Sequence, residues 1–179
     1  MINIIIIEGA DNTGKSTLKN RLMKVFPQLI DKGHSAGPPK TVGEWEDRMY
    51  GLLLKNTGQE SHTFIVDRFF YSELVYGNVL RGKTVVPQGD LDMIEDLLMQ
   101  HDPMIIYCRR PVHRIRETLS ERDQLNGVNE NISKLCRAYD TVFGTRAIQF
   151  RNRMQVFDFE ESNSWLMLHM KMLDYLGKR

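Results

Sequence analysis

The sequence predicts an α/β protein in which one five-stranded parallel β-sheet lies between two layers of helices. Five short apolar runs alternate with longer stretches of helical periodicity, which is the pattern of repeated strand–helix–strand units. The first run leads directly into a glycine-containing loop. Because right-handed crossovers place helices on both faces of such a sheet, we expect ligands at the carboxyl ends of the strands.

The length and composition fit one globular domain over residues 1–179. Hydrophobic residues make up 41% of the chain and charged residues 26%, which excludes a disordered protein. The formal net charge is +1, so the strongly basic character of a dedicated nucleic-acid binder is missing. The sequence contains neither an apolar run long enough to span a membrane nor a basic leader, and we therefore expect a cytoplasmic protein.

Each predicted strand is a short apolar run. The first, at residues 4–7, is continuous and β-branched, as expected of a strand that is buried on both faces. The second is a weak run around residues 29–30, and the segment 33–39 after it has the composition of a loop. The remaining predicted strands cover residues 63–66, with Asp67 at the end, 104–107 and 154–157.

Helical periodicity fills the segments between the strands. After the first strand, Leu18, Leu22 and Val25 recur at helical spacing until Pro27. The polar stretch 120–131, which contains Gly127, is predicted to be a mobile loop. Further helices are predicted over residues 42–55, 70–81, 132–151 and 163–176. Another helix would be capped by Asp90, and one more would have Pro111 in its first turn.

The strongest motif is the loop over residues 9–16, which has the pattern GxxxxGK[ST] of a phosphate-binding P-loop. Its glycines let the backbone direct N–H groups at a phosphate, and the helix that follows begins with the positive end of its dipole. Lys15 would reach the β- and γ-phosphates of ATP, and Ser16 would ligate Mg²⁺. The other residues predicted to hold this nucleotide are Gly9, Asn12, Thr13, Gly14 and Thr17.

A P-loop alone does not distinguish a GTPase, a motor ATPase and a kinase. The base-recognition motif Asn-Lys-x-Asp of GTPases does not occur in the sequence. In the third predicted strand, Asp67 is followed at once by Arg68 rather than by the glutamate that is usual in motor ATPases. A fixed cation beside the metal site suits a second phosphate, carried by an acceptor molecule.

Two motifs together resemble the thymidylate kinase family. One is Glu-Gly-x-Asp at residues 8–11, and the other is the pattern DRxxxSxxxY at residues 67–76. The resemblance implies a P-loop NTPase three-layer sandwich with the strand order 2-3-1-4-5, and a lid over about residues 114–130. Weaker matches are Asp47-Arg48 on the helix before the third strand, Arg122-Asp123 in the lid, and Arg137 and Tyr139 on the following helix.

The same resemblance implies a role for each matching residue. Asp11 would hold the 3′-hydroxyl of the acceptor sugar, and Arg68 would bind the acceptor phosphate. Asp67 would lie near Mg²⁺, and Arg48 would face the base. Tyr76 would pack where a 2′-hydroxyl would be, which favours deoxyribose, with plain core packing as the alternative interpretation.

The resemblance further implies a mobile arginine, because the charge on the transferred phosphoryl group must be neutralised. The P-loop of this chain has no arginine, so the lid must supply one. Arg122 is the first candidate because it lies closest to the glycine-containing part of the lid. We expect Arg116 to contact the donor nucleotide, and a solvated helix face is the alternative interpretation for both Arg114 and Arg116.

The sequence departs from the family where the acceptor base would bind. Members carry Arg-Glu-Pro-Gly after the second strand, whereas residues 35–40 read Ser-Ala-Gly-Pro-Pro-Lys and offer only Lys40 as a cation. Glu44 stands where the family has an aromatic residue that stacks on thymine. Trp45, Phe69 and Phe70 are the stacking candidates, with a place in the core or on the surface of an amphipathic helix as the alternative for Trp45. The residues predicted to bind the acceptor are Asp11, Trp45, Arg48, Arg68, Phe69, Ser72 and Tyr76.

These motifs predict Mg²⁺-dependent transfer of the γ-phosphoryl group of ATP to a deoxynucleoside 5′-monophosphate, with dTMP as the first choice. The catalytic residues would be Lys15, Asp67, Arg68 and Arg122, and the metal would be held by Ser16 and Asp67. We expect small nucleotides as partners, a homodimer, no membrane contact and a role in nucleotide biosynthesis.

Two alternative functions stay open. The acceptor could be another or a modified deoxypyrimidine nucleotide, or a hydroxyl group of a nucleoside or of DNA, for which Asp67 would be the general base. The near-neutral charge makes DNA the weaker acceptor. The other alternative is a regulator that binds a nucleotide without catalysis.

Overall fold

Five parallel strands form the sheet in the computed structural model, which describes residues 3–34, 37–54, 62–119, 126–150 and 153–177. In chain order the strands are β1 (Asn3–Glu8), β2 (Leu29–His34), β3 (Thr63–Asp67), β4 (Met104–Arg109) and β5 (Met154–Asp158). They lie side by side in the order β2-β3-β1-β4-β5, which confirms the predicted topology.

Seven helices connect the strands or follow the last one in the described ranges. Helix α3 covers the predicted residues 70–81, and the others begin or end within a few residues of the predicted limits. The helices are α1 (Lys15–Val25), α2 (Val42–Leu54), α3 (Phe70–Arg81), α4 (Gln88–Met99), α5 (Val112–Leu119), α6 (Val128–Phe150) and α7 (Ser164–Gly177).

Strand β2 is longer than the apolar pattern predicts. Gly33 and His34, which were expected in a loop, belong to the strand, and the pairing with β3 shifts register between Asp31 and His34. Gly33 takes a positive φ of 87°, and its N–H donates to the Asp31 carboxylate at 2.7 Å. The loop prediction was wrong at these two residues, whereas residues 37–39 are irregular as predicted. The edge strand accommodates the glycine at a shift of register, and hydrophobicity does not reveal such an irregularity.

Three helix starts also differ from the predictions. Helix α4 follows Pro87, so Asp90 lies within its first turn rather than at its cap. Helix α5 begins one residue after Pro111, whose carbonyl accepts the N–H of Ile115 at 3.1 Å. Helix α6 begins at Val128, so the last residues of the predicted loop are helical, and residues 120–125 lie outside the described part of the chain.

The side chains of β1 alternate between the two cores of the three-layer sandwich. Ile4 and Ile6 face a core that is shared with α2, α3, α4, α5 and α6, whereas Ile5 and Ile7 face a core that is shared with α1 and α7. All four isoleucines are completely buried. A strand that is apolar on both faces can only be stable inside such a sandwich, which explains the continuous β-branched run.

The topology brings the predicted functional segments to one edge of the sheet. Strand β1 lies between β3 and β4, with Ile7 opposite Asp67 and Glu8 opposite Tyr107. The loop after β1 and the Asp-Arg pair after β3 therefore meet at the carboxyl ends of the strands. None of the helices in the described ranges is long and apolar enough to cross a membrane.

Candidate active site

The loop after β1 needs glycine at both ends of its pattern. Gly9 has a φ of +145°, and a Cβ atom there would lie 2.3 Å from the carbonyl oxygen of Cys108. Gly14 has a φ of +86°, and its Cβ would lie 2.2 Å from the ring of Phe159. Both the backbone angles and the close packing therefore exclude a side chain. The Thr13 hydroxyl closes the loop by donating to the carbonyl of Ala10 at 2.8 Å.

Lys15 lies inside this loop. Its Nζ donates to the carbonyl oxygen of Ala10 at 2.6 Å, and the residue is only 6% exposed. Burial and the charge of Arg68 lower the pKa of Lys15 to about 8, although Asp11 and Asp67 act in the opposite direction. A phosphate in the loop would stabilise the charged form of this lysine.

Ser16 and Asp67 come together as the predicted metal pair. The Ser16 hydroxyl, in the first turn of α1, donates to Oδ2 of Asp67 at 2.7 Å. Asp67 ends β3 and is 1% exposed. A hydroxyl and a carboxylate are the oxygen donors that Mg²⁺ prefers, and this pair adjoins the loop that would hold the phosphates. The two residues therefore fit a magnesium ion.

Arg68 links the end of β3 to the loop after β1. Its backbone has a φ of +70°, and its N–H donates to the carbonyl of Ile7 at 2.9 Å. Its guanidinium forms an ion pair with the carboxylate of Asp11. Further hydrogen bonds run from the guanidinium to the hydroxyls of Ser72 (3.1 Å), Tyr76 (3.2 Å) and Tyr139 (3.3 Å).

Asp11 and Tyr76 are joined by two hydrogen bonds. The Tyr76 hydroxyl donates to Oδ2 of Asp11 at 2.9 Å and accepts the N–H of Asp11 at 3.0 Å. Burial raises the pKa of Tyr76, so the phenol stays protonated and can keep donating. Tyr76 is therefore more than core packing, since its hydroxyl fixes one of the predicted sugar-binding residues.

Glu8 is hydrogen-bonded to the residues around Arg68 and Tyr76. The sequence motif that contains Glu8 suggested no role for its side chain. Glu8 is completely buried, and Oε1 accepts the N–H groups of Phe69 (2.7 Å) and Ser72 (3.2 Å). Oε2 accepts the hydroxyls of Ser72 (2.6 Å) and Tyr139 (3.4 Å). Burial raises the pKa of Glu8, while its bonds to Ser72 and Phe69 and the nearby Arg68 oppose this shift.

A cavity of about 210 Å³ opens beside this cluster. Every residue predicted to bind the acceptor lines it, including Trp45 and Phe69, which are 1% and 3% exposed. Arg48 reaches the rim, where it donates to the carbonyl of Gly37 at 2.8 Å and pairs with Glu44. The other lining residues are Gly37, Pro38, Pro39, Met49, Phe70, Glu73 and Arg81, and Lys40 is not among them.

A second cavity of about 350 Å³ lies on the β4 side of the loop. Arg110 borders it and donates to the carbonyl of Asn12 at 3.2 Å, which places a cation against the phosphate loop. Arg109 pairs there with Asp140 at 3.2 Å. Neither arginine could be assigned from its position after a strand, because two cations there are equally common on a surface.

The predicted lid arginines are only partly described. Arg116 donates to the hydroxyl of Ser133 at 3.1 Å and borders neither of the two cavities. Arg114 pairs with Glu117 and with Glu160. Arg122 lies outside the described residues.

Fold and loop together define a nucleotide-binding protein of the P-loop class. Among solved structures, the chain is similar to the YorR protein from Bacillus subtilis in complex with phosphorylated GDP, with 20% identity, a TM-score of 0.71, and coverage of 97% of this chain and 98% of that one. It is also similar to the thymidylate kinase from Candida albicans, with 14% identity, a TM-score of 0.56, and coverage of 96% and 91%. The thymidylate kinase from Ehrlichia chaffeensis gives 13% identity, a TM-score of 0.56, and coverage of 98% of both chains.

Sequence comparison points in the same direction. The chain is 25% identical over 147 residues to the uncharacterized YorR protein derived from the SPbeta prophage of Bacillus subtilis, covering 82% of this chain and 86% of that protein. It is 26% identical over 166 residues to a probable thymidylate kinase from Metallosphaera sedula, covering 78% and 82%. No protein-family model matches the chain. The predicted resemblance is confirmed: the chain is similar in sequence to a probable thymidylate kinase and has the P-loop fold of the solved thymidylate kinases.

Proposed function

We propose that the protein transfers the γ-phosphoryl group of ATP to the 5′-phosphate of a deoxynucleoside monophosphate. The observation that carries this proposal is the contact network that joins the phosphate loop to the acceptor cavity. Asp11 belongs to the loop, Arg68 and Tyr76 line the cavity, and all three are bonded to one another. A donor phosphate in the loop and an acceptor phosphate at Arg68 would therefore be neighbours.

Each of these residues has a chemical task in the proposed reaction. Lys15 would bind the β- and γ-phosphates, and Ser16 and Asp67 would hold Mg²⁺, which neutralises phosphate charge when bound. Arg68 would release the carboxylate of Asp11 and bind the acceptor phosphate in its place. Asp11 would then be free to accept the 3′-hydroxyl of the sugar, as the family resemblance implies.

The reaction needs no general base. An oxygen of the acceptor 5′-phosphate is already an anion, and it forms a bond to the γ-phosphorus as the bond to the bridging oxygen of ADP breaks. Asp67 is engaged with the Ser16 hydroxyl, which suits a metal ligand better than a base and speaks against a hydroxyl acceptor. Neutralisation of the transferred group by Arg122 remains a prediction, as do the homodimer, the cytoplasmic location and the role in nucleotide biosynthesis.

Because the chain resembles the thymidylate kinase family, dTMP is the first acceptor to test. The residues near the base depart from the family, however. Glu44 stands at the family's stacking position and does not line the cavity, and residues 37–39, which read Gly-Pro-Pro, do line it. The proposal therefore specifies the class, a deoxynucleoside 5′-monophosphate.

A panel of acceptors tests this proposal. ADP release from Mg-ATP would be measured with the four common deoxynucleoside monophosphates, the matching nucleosides, and an oligonucleotide. We expect turnover with at least one monophosphate and none with the other acceptors. Turnover with a nucleoside or an oligonucleotide would assign a hydroxyl acceptor instead. ATP binding without turnover of any acceptor would favour the nucleotide-binding regulator.

A further inference from the structure

Glu73 places a buried carboxylate in the wall of the acceptor cavity. It lies on α3 directly after Ser72 and one helical turn before Tyr76, and its side chain is 5% exposed. It borders the same cavity as Trp45 and Arg48. No motif in the sequence predicts a role for Glu73.

The surroundings of Glu73 hold one of its oxygens and leave the other available. Oε1 forms an ion pair with Arg81 and accepts the N–H of Val85 at 3.2 Å and the hydroxyl of Thr84 at 3.4 Å. Across the described part of the chain, Oε2 accepts no hydrogen bond. Oε2 keeps accessible surface at the wall of the cavity, so an N–H group of a ligand bound there can donate to it.

The position of Glu73 assigns it to the base of an acceptor nucleotide. A phosphate on Arg68 and a sugar against Tyr76 fix one end of the nucleotide, as the proposed function requires. The base then extends into the rest of the cavity, where Glu73 lies with Arg48 and Trp45. An ionised carboxylate only accepts hydrogen bonds, so it favours bases that present N–H donors.

The common bases differ strongly in this respect. Guanine presents its N1–H and its 2-amino group side by side, so a carboxylate oxygen meets a donor opposite either of them. Thymine has a single N3–H between two carbonyl oxygens, both of which would be repelled by the carboxylate. We propose that Glu73 makes the acceptor site selective for a guanine nucleotide over a thymine nucleotide. This inference rests on the proposed function, because it concerns the same cavity.

The test compares kcat/KM for dGMP and dTMP in the unaltered protein, in Glu73→Gln and in Asp96→Asn. Asp96 is exposed on α4, so its variant removes one negative charge without touching the cavity. We expect the unaltered protein and the control to prefer dGMP by about 10- to 100-fold, and Glu73→Gln to lower this ratio by about tenfold or more. A preference for dTMP in the unaltered protein, or an unchanged ratio in Glu73→Gln, would overturn the inference.

Binding measurements separate this inference from the proposed function. Titration calorimetry with dGMP and with dTMP reports base preference even if no turnover occurs. Tighter binding of dGMP that is lost in Glu73→Gln, without phosphorylation of any acceptor, would support the role of Glu73 and refute the kinase proposal. Phosphorylation of dTMP with weak dGMP binding would do the reverse. Because glutamine can still accept the N–H of Val85, Glu73→Gln should fold, and its thermal unfolding would be measured beside the control.

Discussion

The guanidinium of Arg68 and the carboxylate of Asp11 form an ion pair where the end of β3 meets the loop after β1. Both side chains are largely withdrawn from solvent, at 11% and 22% exposure. Burial opposes the charge of Arg68, but Tyr76, Tyr139, Asp11 and Glu8 outweigh it and hold the pKa of the guanidinium well above its usual value. The cation is thus permanent, and an acceptor phosphate has to compete with Asp11 for it.

Replacement of Arg68 by alanine should therefore disable the acceptor site. The variant loses the cation and also leaves the Asp11 carboxylate to repel the incoming phosphate. We expect kcat/KM for the monophosphate to fall by roughly 100- to 1000-fold, with ATP affinity nearly unchanged. Steady-state kinetics and ATP titrations would check this.

Arg153→Ala is the matched control for that variant. Arg153 forms an ion pair with Asp102 at 2.6 Å. The two residues come just before β5 and β4, so they lie at the amino ends of the strands, opposite the end that carries the candidate site. Its replacement should leave kcat/KM unaltered. Equal kinetics for the two variants would remove Arg68 from the acceptor site.

ATP affinity should depend on the titration of Lys15. With a pKa of about 8, this lysine is charged below that pH and increasingly neutral above it in the free protein. Because phosphates bind the charged form, the affinity for Mg-ATP should fall as the pH rises past 8, towards about tenfold per pH unit. Titrations between about pH 7 and 9.5 would show the decline, and Lys15→Met should bind weakly at every pH without this slope.

Glu8 should tolerate an amide better than an apolar side chain. In Glu8→Gln the carbonyl oxygen can still accept the N–H groups of Phe69 and Ser72, and the facing hydroxyls of Ser72 and Tyr139 can turn to accept. We expect a loss of about 1 kcal/mol in the free energy of unfolding. Glu8→Leu leaves the N–H of Phe69 without this acceptor and leaves the N–H of Ser72 with only the carbonyl of Phe69 at 3.3 Å, and it should cost roughly 3 kcal/mol or more. Urea unfolding of both variants decides between these values, and equal losses would contradict the bonding described for Glu8.

A methyl group should have opposite effects at two glycines. Gly9→Ala introduces a Cβ against the Cys108 carbonyl at a positive φ, and should lower the free energy of unfolding by about 2 kcal/mol or more. Gly144 lies within α6 with no atom near its would-be Cβ, so Gly144→Ala should stabilise the protein by about 0.5–1 kcal/mol. Thermal unfolding of both variants measures the two signs, and a stable Gly9→Ala protein would contradict the tight packing of the loop.

The acceptor site was only partly predictable from the sequence. Asp11, Arg68 and Tyr76 stand in motifs whose spacing is visible in the chain, and the structure brings them into contact. Glu8 stands in the same motif as Asp11, but the motif suggested no role for it, and Glu73 stands at no fixed position of either motif. A glutamate in a strand or a helix usually faces solvent, so neither was predicted to be buried. Glu8 gains its partners from the start of α3 and from α6, whereas Glu73 gains its partners from Arg81 at the end of α3 and from Thr84 and Val85 just after it.

The sequence by itself determined the sandwich of helices and strands, the phosphate loop, and the pair Asp67-Arg68 at the end of β3. Each depends on local patterns: a β-branched run, two glycines at a fixed spacing, and an acid and a base in succession. The tertiary structure alone decided the irregular step in β2, the pairing of Arg68 with Asp11, and the enclosure of Glu73 beside the cavity. Arg68 and Asp11 lie far apart in the chain, whereas Glu73 and Gly33 find partners nearby. In each case burial, pairing and hydrogen bonding act together, and no hydrophobic pattern records the outcome.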